Sequence, residues 1–240
     1  MPPRHPTQLR PIKIKPHVVN TALGSCEISC GDTRVLCTAS WEAGNPDWKK
    51  AQGGGWVTAE YGMLPGSSPE RIRREATRGK QSGRTQEIQR LIGRSLRTVV
   101  DLEALGDNSI IVDCDVLQAD GGTRTAAITG GFIALVLALA KLRAKKILPA
   151  LPIRDYVAAV SVGVVAGMVC LDLDYEKDSQ AQVDMNVVMT GQGSFVEIQG
   201  TAERSPFSQQ QLAAMLRLAK QGIKTLIHQQ KKIVGRYLHP

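Results

Sequence analysis

Residues 126–140 are apolar almost without interruption, and this run constrains the fold more than any other feature. Its fifteen residues fall short of the roughly 20 that cross a bilayer as a helix. Thr129, Gly130 and Gly131 lie within it, and Arg124 and Lys141 flank it. A helix apolar on every side belongs inside a protein core, so no membrane span is expected. The chain has 240 residues, enough to enclose such a helix without disulfides or a structural metal. Its start is rich in Pro and Arg and has no apolar leader, so no secretory signal is expected. The five cysteines (Cys26, Cys30, Cys37, Cys114 and Cys170) are odd in number and include no Cys-x-x-Cys pair. Three lie in apolar, strand-like runs, which suits reduced, buried thiols in a cytoplasmic protein.

Around this helix the patterning alternates between strands and helices. The first twenty residues read as irregular. Residues 25–30 and 34–41 alternate about a Gly31-Asp32 turn, which predicts a hairpin. Residues 44–55 read as a loop, and 56–61 as a short strand. Ile88, Leu91, Ile92, Leu96 and Val99 fall at helical steps, with Thr85 the expected N-cap. Arg90, Arg94 and Arg97 share another face of that helix. Residues 110–117 predict a strand with Asp113 and Asp115 turned away from its apolar side. The second half loosely repeats the plan. Hairpins are expected over 156–165 with 168–175 and over 183–190 with 194–199, followed by a C-terminal helix over 208–236. Ser208 and Gln211 form its capping box. The expectation is an α+β fold spanning 1–240 as a single domain built from two loosely repeated β/α halves.

The formal net charge of +8 points to a polyanionic partner: nucleic acid, an anionic membrane or a phosphorylated small molecule. Three constellations bear on that choice. Gly121, Gly122, Thr123, Arg124 and Thr125 stand between a strand and the apolar helix. The first N–H groups of a helix lack partners, and its dipole favours an anion there. The segment suits a phosphate seat, and by itself suits an ordinary strand–helix connection equally. Arg71, Arg73, Arg74, Arg78, Lys80 and Arg84 crowd a stretch without apolar periodicity. Arginine forks match phosphate oxygens. Asp178 and Asp184, with Asp172 and Asp174 upstream, could offer the oxygen ligands that Mg²⁺ prefers, although surface acids are common. The histidines lie near the chain ends, and no Gly-x-Ser-x-Gly elbow is present. An enzyme of this composition would position a nucleophile from solution, which fits phosphoryl transfer better than acyl transfer.

Four ordered blocks carry a specific likeness. They are Gly53-Gly54-Gly55-Trp56-Val57-Thr58-Ala59-Glu60-Tyr61-Gly62-Met63-Leu64-Pro65, Gly79-Lys80-Gln81-Ser82-Gly83-Arg84-Thr85-Gln86-Glu87, Asp113-Cys114-Asp115-Val116-Leu117-Gln118-Ala119-Asp120-Gly121-Gly122-Thr123-Arg124-Thr125, and Asp184-Met185-Asn186-Val187 with Gly200-Thr201-Ala202-Glu203 after it. Together they resemble the RNase PH family from about Leu9 to the C-terminal helix. The resemblance implies a phosphate-dependent 3′→5′ exoribonuclease that trims tRNA precursors and releases nucleoside diphosphates, a reversible nucleotidyl transfer. It implies that Arg84, Gly122, Thr123 and Arg124 bind the attacking phosphate and that Asp178 and Asp184 carry magnesium and catalysis. It further implies that Arg71, Arg73, Arg74 and Arg78 guide RNA, and that the chain assembles as a hexameric ring, a trimer of dimers. A catalytically inactive, RNA-binding ring subunit of an exosome-like complex is the alternative. The chain departs from the family pattern in its first six residues, at Gly66 and at Arg204. The first two departures bear on contacts with RNA or neighbouring subunits rather than on the phosphate seat.

Overall fold

The computed structural model describes residues 4–238. Met1, Pro2 and Pro3 of the atypical opening, and His239, lie outside the described residues. The first half forms a five-stranded sheet from β1 (Ile12–Pro16), β2 (Gly24–Cys30), β3 (Thr33–Ala43), β4 (Trp56–Met63) and β5 (Asn108–Gln118). Their spatial order is β1-β2-β3-β5-β4. Successive pairs are antiparallel except β4 with β5, which run parallel. Parallel neighbours need a crossover, and α2 (Gly83–Thr98) supplies it. A four-residue helix, α1 (Asp47–Lys50), interrupts the loop before β4. The second half forms a four-stranded antiparallel sheet from β6 (Val157–Val165), β7 (Met168–Leu171), β8 (Val183–Thr190) and β9 (Phe195–Ala202), in the order β7-β6-β8-β9. α4 (Tyr175–Gln180) precedes β8, and α5 (Gln209–Leu238) closes the described chain.

The apolar run lies in α3 (Thr123–Ala144). This helix packs on β2, β3 and β5 of the first sheet and on β6 and α5 of the second half. At 22 residues it is long enough to cross a membrane, yet 94% of its most apolar window is buried inside the protein. Phe132, Ile128, Ile133, Leu135 and Leu139 are fully enclosed. Gly130 is required because a Cβ there would meet Ile28 at 2.7 Å and the Cys37 sulfur at 3.0 Å. All five cysteines are free and buried.

The structure corrects the sequence reading in several places. The first twenty residues are not wholly irregular. Ile12 and Ile14 alternate with Lys13 and Lys15 and form edge strand β1 against β2. The short run between two prolines hides the alternation. Ser82, not Thr85, caps α2: its backbone is extended and its side chain accepts from the Thr85 N–H. The Thr85 hydroxyl instead donates to Glu75. β7 ends at Leu171 rather than near 175, because Asp172 adopts φ +55 and turns the chain toward α4. α5 runs to Leu238 rather than stopping at 236. Its expected capping box is present, with the Ser208 N–H donating to Gln211 at 2.8 Å and the Gln211 N–H to the Ser208 hydroxyl at 3.2 Å.

Candidate active site

A cleft of about 1160 Å³ opens between the two halves. The first half presents the N-termini of α2 and α3 to it, with Arg84, Gly121, Gly122, Thr123 and Arg124 on its wall. The second half presents Asp178 from α4, Asp184 and Asn186 from β8, and Glu203 from beyond β9. Residues far apart in sequence, from Arg84 to Asp178 to Glu203, therefore face one space.

Gly122 is the N-cap of α3, and no side chain caps that helix. Its first N–H groups have no side-chain acceptor, in a setting where the helix dipole favours negative charge. Gly121 has φ +70, and a Cβ there would meet the Leu173 carbonyl oxygen at 2.5 Å. That close approach docks the Gly-rich loop on the segment that leads into α4 and Asp178. The Thr123 hydroxyl lies 2.8 Å from the Tyr61 hydroxyl, and either oxygen can donate. Burial raises the Tyr61 pKa, opposed by its bond to Thr123 and by the charges of Arg84 and Arg124. Arg124 donates to Gln199 at 3.0 Å, and Gln199 donates to Glu87 of α2. This chain of contacts fixes the Arg124 guanidinium across the junction of the halves.

The carboxylates sit in a different field. Burial first, and then the negative charge of Asp178, push the Asp184 carboxyl up to about 6, with Arg124 opposing. Its Oδ1 atom is buried without a hydrogen-bond partner. Desolvation also raises Asp178, against the pull of Arg84 and Arg124. The upstream acids serve the scaffold instead. Asp172 is buried and paired with Arg10 at 2.7 Å, while Asp174 caps α4 and binds Lys177 and Arg4.

Of the residues singled out in the sequence, Arg84, Gly122, Thr123, Arg124, Asp178 and Asp184 all line this cleft. Arg71, Arg73, Arg74 and Arg78 do not. They belong to the loop between β4 and α2, whose Ser68, Pro69 and Glu70 reach the cleft rim. That loop is tied to the start of α2 through Glu75, which accepts from the Ser82 N–H at 3.1 Å and the Thr85 hydroxyl at 2.7 Å. On the other α2 face, Arg94 pairs with Glu197 and Arg97 stacks 4.1 Å from the Trp56 ring centroid. Tyr61, Asn186, Gln199 and Glu203 had no assigned role in the sequence reading. Asn186 follows Asp184 by two positions on one strand, so the period-2 rule places both on one face. Tyr61 and Glu203 stand inside the blocks that carry the family likeness, and Gln199 carries no local signal.

A cleft that sets two helix starts and arginines against a carboxylate pair defines an enzyme of phosphate-ester chemistry. Comparison with known proteins narrows this. Residues 8–141 match domain 1 of the 3′ exoribonuclease family, and residues 155–222 match its domain 2. The chain is 59% identical to Ribonuclease PH of Moorella thermoacetica, over 95% of this chain and 91% of that protein. It is 58% identical to Ribonuclease PH of Neisseria meningitidis (94% and 93% covered) and 55% identical to that of a Methylobacterium species (97% and 98% covered). An Archaeoglobus fulgidus exosome chain, solved with RNA bound to the active site, shares the fold at TM-score 0.80 and 20% identity, covering 94% of this chain and 90% of that one. Rice Rrp46 does so at TM-score 0.75 and 17% identity, covering 96% and 98%. The chain belongs to the 3′ exoribonuclease family.

Proposed function

We propose that this protein is a phosphate-dependent 3′→5′ exoribonuclease: it shortens RNA one nucleotide at a time and releases nucleoside diphosphates. The observation that carries the reading is the division of one cleft into an anion-seating wall and a carboxylate wall. Arg84, the Thr123 and Arg124 side chains and the first amides of α3 hold orthophosphate beside the last phosphodiester of the RNA. A phosphate oxygen bonds to that phosphorus, and the bond to the 3′ oxygen of the preceding nucleotide breaks. That oxygen takes a proton and becomes the new 3′ end. The attacking phosphate leaves as the β-phosphate of a nucleoside diphosphate. One phosphoester linkage replaces another, so the reaction runs in both directions. The protein's contribution is to hold two anions together and offset their repulsion.

Asp178 and Asp184 would hold magnesium. The unpartnered buried oxygen of Asp184, beside a second carboxylate, supports that fit. Among the described residues no group of three or more His, Cys, Asp or Glu suited to a metal is present. A carboxylate pair suits a cation that keeps waters and substrate oxygens in its shell. When bound, magnesium would neutralise charge on the scissile phosphodiester and on the leaving oxygen.

The arginines of the β4–α2 loop guide the RNA body, in keeping with their place beyond the cleft rim. The substrates are the 3′ ends of tRNA precursors and other RNAs. The protein works in the cytoplasm, which its five free thiols favour. It assembles as a hexameric ring. Exposed Phe195 and Ile198 on edge strand β9 support burial against another copy. The two halves form one folding unit, a reading supported by α3 packing on both sheets. A ring subunit without catalysis is disfavoured, because such a subunit has no use for the full set of phosphate-seat and carboxylate residues that lines this cleft.

The test incubates a tRNA carrying extra 3′ nucleotides with and without phosphate. Nucleoside diphosphates that appear only with phosphate are expected, and monophosphates formed in its absence would mean a hydrolase. The Arg84→Ala variant should lose phosphate-dependent release while still binding RNA. Normal release by that variant would overturn the assignment of Arg84.

A further inference from the structure

The Gly-rich loop before α3 is gripped from behind by two side chains that do not line the cleft. We propose that Arg10 and Thr33 are positioning residues for phosphate, acting by fixing the direction of two peptide planes. The inference rests on the reading of the cleft as a phosphate seat. Arg10 is 6% exposed. Its Nε and Nη2 donate to the two carboxylate oxygens of Asp172, at 3.1 and 2.7 Å. The same guanidinium donates to the Asp120 carbonyl and, at 3.3 Å, to the Gly121 carbonyl. Thr33 is fully buried. Its hydroxyl donates to the Gly121 carbonyl at 2.6 Å and accepts from the Asp120 N–H at 2.9 Å.

Among the described residues every peptide bond is trans. In a trans peptide the C=O and the following N–H point in opposite directions. Locking the carbonyls of Asp120 and Gly121 onto Arg10 and Thr33 therefore turns the N–H groups of Gly121 and Gly122 away from them. Neither N–H donates to an acceptor among the described residues, and both glycines line the cleft. The positive φ values of both, +70 and +67, are what this arrangement demands of the backbone. The two amides thus extend the donor row of the α3 N-terminus on its approach side. They are held before an anion arrives, so seating it costs little reorganisation. Asp172 completes the device by anchoring the guanidinium, which explains why a buried acid so near the cleft takes no place in it.

The test compares Thr33→Val, which removes the hydroxyl and keeps the shape, with Thr33→Ser, which keeps the hydroxyl. Phosphate KM, RNA KM and kcat are measured, together with calorimetric binding of inorganic phosphate. Thr33→Val should raise the phosphate KM and Kd about tenfold, the effect of one misaligned donor. The RNA KM should stay within about twofold, and Thr33→Ser should restore phosphate affinity. Should Thr33→Val fail to fold, the paired replacement Arg10→Met with Asp172→Leu carries the test, since an apolar pair can replace a buried ion pair. The same phosphate-specific loss is expected there. Unchanged phosphate KM and Kd in a folded variant, or a fall in kcat alone, would overturn the proposal. A wild-type enzyme that neither binds nor needs phosphate would instead overturn the reading of the cleft on which it rests.

Discussion

Replacing Asp184 by asparagine should stabilise the fold while abolishing activity. The Asp184 Oδ1 atom is buried without a partner, and burial with the Asp178 charge moves the carboxyl from 3.8 up to about 6. The folded-state value lies above the unfolded one, so the fold favours the protonated form. Below the unfolded value the group costs nothing, and stability falls as pH rises from the unfolded value through the folded one. Between those two values the loss, at about 1.4 kcal/mol per tenfold change in proton affinity, reaches about 3 kcal/mol when ionisation is complete. The asparagine amide brings donors that also want partners, which reduces the gain to roughly 1–3 kcal/mol. For a chain of this length each kcal/mol moves Tm by about 2–4 °C. Thermal melts in a chelating buffer should therefore show the variant higher by roughly 2–12 °C at about pH 8. The two curves should converge at about pH 4, where most of that cost has gone. Without chelator, magnesium should raise the wild-type Tm and leave the variant unmoved. A variant that melts lower at the higher pH, or a gap that persists at the lower one, would refute the reasoning.

Four further outcomes follow from the same structure. Gly121→Ala forces a side chain against the Leu173 carbonyl at a positive φ; it should cost about 1–3 kcal/mol in denaturant titration and sharply raise the phosphate KM, and a near-normal KM would contradict the loop's role. Arg73→Ala combined with Arg74→Ala should weaken RNA binding and flatten its dependence on salt by about one unit of slope for each RNA phosphate left unneutralised, with phosphate KM unaltered. Phe132→Ala, at a fully enclosed position of α3, should lower stability by about 3–5 kcal/mol in urea. Ser208→Ala removes the side-chain half of the α5 capping box and should cost about 1 kcal/mol, read from the same titration.

The elements that declared themselves in the sequence are those with long, regular patterns. Ile110, Val112, Cys114 and Val116 alternate cleanly and form the core side of β5. The α3 run is apolar at nearly every position, and only a buried helix accommodates that. Ser82 is masked as a cap because Thr85 stands nearer the apolar period, although the Thr85 hydroxyl is occupied by Glu75. Six-residue α4 was invisible, since it buries none of its residues and so has no hydrophobic period. Of the residues that line the cleft, Arg84, Thr123 and Asp184 stand in motifs legible in the sequence. The Arg10–Asp172 pair was not, because its partners lie 162 positions apart and nothing local marks either as structural. Gln199 and Glu87, which aim Arg124, were hidden for the same reason.

The placement of α3 makes the two walls of the cleft unequal in rigidity. In the proposed function its first turn seats the anion, and its body is enclosed by both sheets. Amides along the enclosed body of that helix should exchange with solvent only when the whole protein unfolds. Asp178 rides on α4, which is short and buries no residue, so its amides should open locally and often. Variation in this enzyme has more room at α4, where a loosened turn is tolerated, than along α3, where any loosening is a loosening of the entire fold.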